Sequence, residues 1–189
     1  IELATFGGAG ILGDGAGPVA RVGGSVALAS RRGLRPSLAL GALYAFPFTS
    51  GSDTLTSRAH LVSARAMPAI ELLRGSWVAL DVAAGGGFDV LTVEPSSATL
   101  PLSALGEKTT RVDPIASASA TARVALASDV VLTLSLVADV DPTTRRYVFE
   151  DRGARSEVLA PWTVRPTLLA GLSFTAHGEA PFRPERAAP

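Results

Sequence analysis

The sequence predicts an all-β fold, an eight-stranded antiparallel up-and-down transmembrane β-barrel. Three observations carry that prediction. Residues 130–140 alternate: Val130, Leu132, Leu134, Leu136, Ala138 and Val140 fall on one face, and Val131, Thr133, Ser135, Val137 and Asp139 on the other. A period of two is the strand period, because successive side chains leave opposite faces of the pleat. The segment also outruns an ordinary strand and matches the roughly 9–11 residues that a tilted strand needs to cross a bilayer. Finally, the same design recurs along the whole chain, punctuated by glycine and proline.

Composition bounds the remaining choices. A chain of 189 residues suffices for one domain with a sizeable core. Lys plus Arg and Asp plus Glu both total 17, so the net charge is zero and gives no electrostatic case for nucleic acid. The chain has no cysteine, which excludes disulfide frameworks, thiolate zinc sites and cysteine nucleophiles. Mean hydropathy is high at +0.32, yet no run approaches the roughly 18 apolar residues of a transmembrane helix. Barrels conceal their membrane signal in this way, since lipid-facing residues alternate with interior ones. No signal peptide is visible before Ile1, so the chain reads as a mature or excised segment.

Eight alternating segments follow in order. The first, 2–12, is glycine-rich and has the weakest phase; Gly13 to Pro18 reads as a turn. The second, 19–30, sets Val22, Val26 and Leu28 against Arg21, Ser25 and Ala27. The third, 37–48, places Leu38, Leu40, Tyr44, Phe46 and Phe48 on one face. In the fourth, 55–70, Val62, Ala64 and Ala66 oppose Ser63 and Arg65, and Pro68 suggests a bulge or a strand end. The fifth, 77–93, has Val78, Leu80, Val82, Phe88 and Val90 opposite Asp81 and Asp89. The sixth, 115–127, alternates alanines with Ser117, Ser119, Thr121 and Arg123. The seventh is 130–140, and the eighth, 161–175, sets Trp162, Leu168, Leu172 and Phe174 against Arg165, Thr167 and Ser173. Long polar loops are expected over 94–114 and 141–159, and a disordered Pro/Arg-rich tail over 176–189, beyond a barrel domain of 1–175. Turns after the second, fourth and sixth segments are short, and those after the third, fifth and seventh are longer.

Periodicity alone does not say which face looks inward. A soluble lipocalin-like ligand-binding barrel would bury Leu132, Leu134 and Leu136 and show water a charged face. Here the second face is Ala, Gly, Ser and Thr with occasional charges, which suits the narrow lumen of an eight-stranded barrel. On that face lie Glu2, Arg21, Arg65, Asp81, Asp89, Arg123, Asp139 and Arg165. Signs are mixed, and a buried charge requires a partner, so an interior network of arginines and acids is expected. Tyr44, Phe46, Phe48, Trp77, Trp162 and Phe174 lie at or near strand ends and form an expected aromatic belt at the membrane–water interface.

With these segments, turns and aromatics, 1–175 resembles the small eight-stranded outer-membrane β-barrel proteins of Gram-negative bacteria. That resemblance implies an outer-membrane location with outer-membrane lipid as surroundings. Members often end on an aromatic residue that closes the last strand. Phe174 would be the counterpart, although this chain continues fifteen residues further.

Little in the sequence speaks for catalysis or metal. There are two histidines, His60 and His177. His60 has Ser57 and Ser63 nearby, but no acid can be assigned to a lipid-hydrolase triad. Gly85, Gly86 and Gly87 sit mid-strand with no following helix, against a phosphate loop. Asp139, Asp141, Glu150 and Asp151 lack the spacing of a calcium loop. No cofactor, metal or catalytic residue is expected. The expected function is structural or surface-interacting, with a ligand or protein met at the long loops and the lumen closed; a narrow channel for very small solutes is the alternative.

Overall fold

Alternation of small and large side chains winds this chain once around a closed cylinder. The structure is a computed structural model that describes residues 1–14, 16–30, 35–51, 56–96, 107–127, 129–143, 146–151 and 154–175. The expected tail over 176–189 and the centre of the first long loop, 97–106, lie outside the described residues. In chain order the strands are β1 (Glu2–Gly10), β2 (Gly13–Asp14), β3 (Val19–Ala29), β4 (Ser37–Gly51), β5 (Thr56–Arg74), β6 (Val78–Ser96), β7 (Thr109–Ala125), β8 (Val130–Val140), β9 (Tyr147–Asp151), β10 (Ala154–Pro161) and β11 (Val164–Thr175). Eight of them close in the order β1-β11-β8-β7-β6-β5-β4-β3, every pair antiparallel, while β2, β10 and β9 form a separate three-stranded sheet. The seam is β1 against β11, running from Glu2 opposite Thr175 to Gly10 opposite Thr167.

The apolar phase points outward. On β8, Leu132, Leu134 and Leu136 are 40%, 50% and 58% exposed, whereas Val131, Val137 and Asp139 are at 4% or below. Leu38, Leu40, Val62, Phe88, Leu168 and Leu172 are likewise exposed around the wall. This rules out the lipocalin-like alternative, whose ligand pocket required the leucines of β8 inside. An apolar belt around a closed barrel, with each wall strand laddered to two neighbours, is the arrangement that lipid permits, because it leaves no open sheet edge.

Four sequence expectations need correction. The stretch 94–114 is not wholly loop: β6 runs to Ser96 and β7 starts at Thr109, with Val93 paired to Thr109. Pro114 does not end that alternation; it faces outward opposite Phe88 and leaves Asp113 and Ile115 buried. The stretch 141–159 contains the β9–β10 hairpin. The turn over 13–18 folds back, and Gly13 and Asp14 pair with Pro161 and Ala160 of β10. Finally, Pro68 neither bulges nor ends its strand. It pairs with Leu38 on β4, and the β5–β6 ladder lapses beside it and resumes in the same register. Its missing N–H explains the lapse.

Two bulges do occur, between Ala45 and Phe48 on β4 and between Glu71 and Leu73 on β5. Each inserts one residue and so inverts the phase beyond it. Phe48 is therefore turned inward against Ala59 and its neighbours, which removes it from the expected aromatic belt.

Leu134→Arg is expected to cost roughly 2–4 kcal/mol, as a cation placed on the lipid face near mid-span does. Reversible urea unfolding in lipid vesicles would measure it. Ser135→Arg, which points into the lumen, should give a different value set by interior space; equal values would contradict the assigned phase.

Candidate functional site: the lumen and its rim

The inward side chains stack in layers from the loop end to the short-turn end. At the loop end, Leu12, Ala16, Val19, Ala45, Ala59, Leu61, Leu91, Val93 and Leu159 form one buried apolar cluster with Phe48 packed against it. Leu12 and Leu159 come from the connections, not from the barrel wall. They are held over the lumen by backbone bonds from the Trp162 N–H to Leu12 O (2.8 Å) and from the Ile11 N–H to Pro166 O (3.0 Å). The Trp162 indole also donates to Asp14 Oδ1 at 3.1 Å. The cluster is a plug under the small β2-β10-β9 sheet.

Below the plug lies a buried charged layer. Asp139 accepts from Arg65 and, at 2.7 Å, from the Ser117 hydroxyl; Arg21 Nη1 stands 3.9 Å away. Arg165 reaches Asp89 at 2.8 Å and Asp141 at 3.8 Å. Asp141 is itself fixed by the Thr143 N–H and hydroxyl, at 2.9 and 2.6 Å. The register puts Arg165 directly opposite Asp139, yet it bonds to an acid across the lumen. Asp113, opposite Asp89 on β7, is buried in the same layer. Room for Arg21 depends on Gly10: a Cβ there would sit 2.5 Å from Thr167 Oγ1 and 2.9 Å from Arg21 Nε.

A layer of hydroxyls and apolar groups follows. Leu43, Val137 and Leu169 pack with Phe6, Thr121 and Ser135 share a 2.9 Å hydrogen bond, and a cavity of about 120 Å³ remains beside Ser25, Met67 and Ser119. At the short-turn end Arg123 collects three carboxylates. It binds Asp81, reaches Glu71 at 3.0 Å and reaches Glu2 at 3.5 Å, and Arg74 adds a 3.2 Å pair to Glu71. These side chains are partly solvated, so their pairing contributes less than the buried layer does.

The structure thus places Arg21, Arg65, Asp89, Asp139 and Arg165 in the upper layer, and Glu2, Asp81 and Arg123 in the lower. Two networks stand where one was expected. From Arg65 to Glu71 is six residues along β5, about 20 Å of strand, too far for one set of side chains to bridge. Glu71, Asp113 and Asp141 were missed. The first lies one residue beyond the expected strand end, the second inside the expected loop over 94–114, and the third at the first position of the expected loop over 141–159. Continuing the alternation one pair further on β5 and one pair back on β7 would have found Glu71 and Asp113.

The remaining aromatics face outward. Trp77 and Phe174 lie at the short-turn end, and Tyr44, Phe46 and Trp162 at the loop end. Tyr44 and Phe46 meet edge to face at 5.5 Å. His60 points outward while Ser57 and Ser63 are buried on the opposite face of β5, so no Ser–His pair forms there. Asp139 and Asp141 face arginines, and no group of three metal-ligating side chains occurs among the described residues. Nothing is described of the Glu150 and Asp151 side chains, the other two acids weighed for a calcium loop. Gly85 and Gly87 are mid-strand; a Cβ on Gly87 would fall 1.9 Å from Ala64 O, so glycine lets β5 and β6 close up there.

No protein-family model matches the chain, and no curated protein sequence matches it. Among solved structures it is similar to a major outer membrane protein from Thermus thermophilus, with 15% identity and a TM-score of 0.64 over 92% of this chain and 98% of that one. It is also similar to Neisserial surface protein A (NspA), with 11% identity and a TM-score of 0.54 over 93% and 95%.

Asp139→Ala leaves Arg65 buried without its carboxylate and should destabilise by roughly 3–5 kcal/mol. Glu2→Ala, at the solvated lower layer, should cost less than about 1 kcal/mol. Denaturant unfolding of both variants in vesicles checks the ranking.

Proposed function

We propose, from the premise that this chain has the fold of the eight-stranded outer-membrane barrels, that it is a bacterial outer-membrane protein with a closed lumen and a structural or surface-interaction role. One observation carries the reading: the lumen is crossed by an apolar plug, a buried ion-paired layer and a solvated ion-paired layer in series. A permeating solute would have to part Arg65 from Asp139 and Arg165 from Asp89, leaving buried charges without partners, which is strongly unfavourable.

Interaction then belongs to the loop end. There β5 and β6, each of 19 residues, and β7 of 17 outrun the roughly 9–11 residues that lipid requires and carry a wall beyond the apolar belt. Surfaces on a rigid scaffold are suited to recognition. A protein or other surface ligand met by this wall and the β9–β10 hairpin is the partner this reading implies.

Refolded protein should show a heat-dependent gel mobility shift and, in planar lipid bilayers, no conductance steps above background. Reproducible steps would favour the narrow-channel alternative, with the 120 Å³ cavity as part of its path.

A further inference from the structure

The outer surface of the β5–β7 wall changes character in ordered rows. Across β4 to β7, one row reads Tyr44, Val62, Val90, Val112, and Val112 is 64% exposed. Two residues further toward the loops the row reads His60, Thr92, Thr110, with a 3.1 Å hydrogen bond between the two threonine hydroxyls. Two further on, Arg58 stands opposite Glu94, and Lys108 lies just beyond the pair Val93–Thr109. Each row is about 6.7 Å of strand, so on a strand tilted by roughly 40° the charged row stands about 10 Å above the last valines. The polar interfacial layer of a bilayer, where lipid phosphates lie, is about 5–8 Å deep on each side. Long cationic side chains at this height reach back into it.

The cations are not spent on the protein. Arg58, Glu94 and Lys108 are all exposed, and none makes an ion pair with another described residue although the register sets Arg58 and Glu94 side by side. On its outward phase the described rim of this wall carries two positive charges and one negative; Arg111, also exposed, pairs with inward-facing Leu91 and belongs to the lumen side. The opposite wall differs. There β8 and β11 end on exposed Val140 and Val164, next to Trp162 and the exposed acid Asp14, and neither strand turns a cation outward.

We propose that the β5–β7 rim is a docking surface for the phosphate groups of anionic lipid in the leaflet on the loop side, with Arg58 and Lys108 as the phosphate ligands and Glu94 as the group that limits affinity. This deepens the reading of the chain as a membrane-spanning barrel and rests on it. The phosphate lies between two cations two strands apart, about 10 Å, with the exposed Thr110 hydroxyl and the half-buried His60 imidazole beneath it and Thr92 buried behind them as the partner of Thr110. Attraction of this kind is electrostatic and weakens with salt.

The test uses the full chain reconstituted in vesicles of phosphatidylcholine mixed with phosphatidylglycerol, released in mild detergent, with retained lipid counted by native mass spectrometry. Wild type should retain phosphatidylglycerol above its share of the mixture. The Arg58→Gln/Lys108→Gln double variant should lose roughly tenfold of that enrichment, while Glu94→Gln should gain. If the row were only a cross-strand stabilising triplet, Glu94→Gln would not raise retention. Unchanged retention in the double variant, or a fall in Glu94→Gln, overturns the proposal while leaving the barrel intact. Failure of the protein to insert, seen as no flotation with vesicles and no heat-dependent gel shift, overturns the membrane reading and this inference together.

Discussion

Closure of the ladder is the constraint on which everything else depends. Lipid offers no hydrogen bonds, so each strand must find both neighbours, and eight strands satisfy one another only by returning the last to the first. A cylinder of eight strands is narrow, and half of all side chains point into it. That space admits small residues readily and long ones only if they share it. The arginines therefore reach across the lumen to acids on other strands instead of pairing with the nearest register partner, as Arg165 does in passing over Asp139. Charge sits inside because the outside cannot hold it.

The two charged layers differ in kind because they differ in access to water. Above the mid-lumen cavity, Arg65, Arg165, Asp89 and Asp139 are almost wholly enclosed, and their geometry must be complete for the layer to be tolerated at all. Below it, Arg123 serves three carboxylates that water also reaches. The plug of Leu12, Leu159 and their neighbours explains the asymmetry: one end is roofed by apolar side chains from the connections, and the other is not. The molecule is a cup more than a tube.

Most of the architecture was legible because a buried face enforces register. The bounds of β8 could be read to the residue, and the outward phase of every long strand followed from alternation. Reading failed where the period itself changes. The extra residue between Ala45 and Phe48 inverts the face without any distinctive residue type, so Phe48 looked like a third member of the Tyr44–Phe46 belt. It failed again where an apolar residue belongs to a connection, because Leu12 and Leu159 have no periodic neighbours to say which way they point. Asp113 was hidden because 94–114 reads as one polar loop, although its last residues continue the ladder and an outward-facing proline near the rim interrupts little.

The seam has a consequence for how the chain acquires its shape. Glu2 and Arg165 sit on the first and last barrel strands, β1 and β11, which are the strands most distant in sequence and yet directly paired. Non-local pairing of that kind is slow, since the whole intervening chain must be gathered first. Until it happens, the lumen lacks a wall. Arg165 is not yet brought across from Asp89, nor Glu2 from Arg123. Partly curled sheets therefore carry unmatched charge along the edge that must still close, and only the finished cylinder neutralises it. Such a landscape penalises halfway forms and makes barrel formation an all-or-none event.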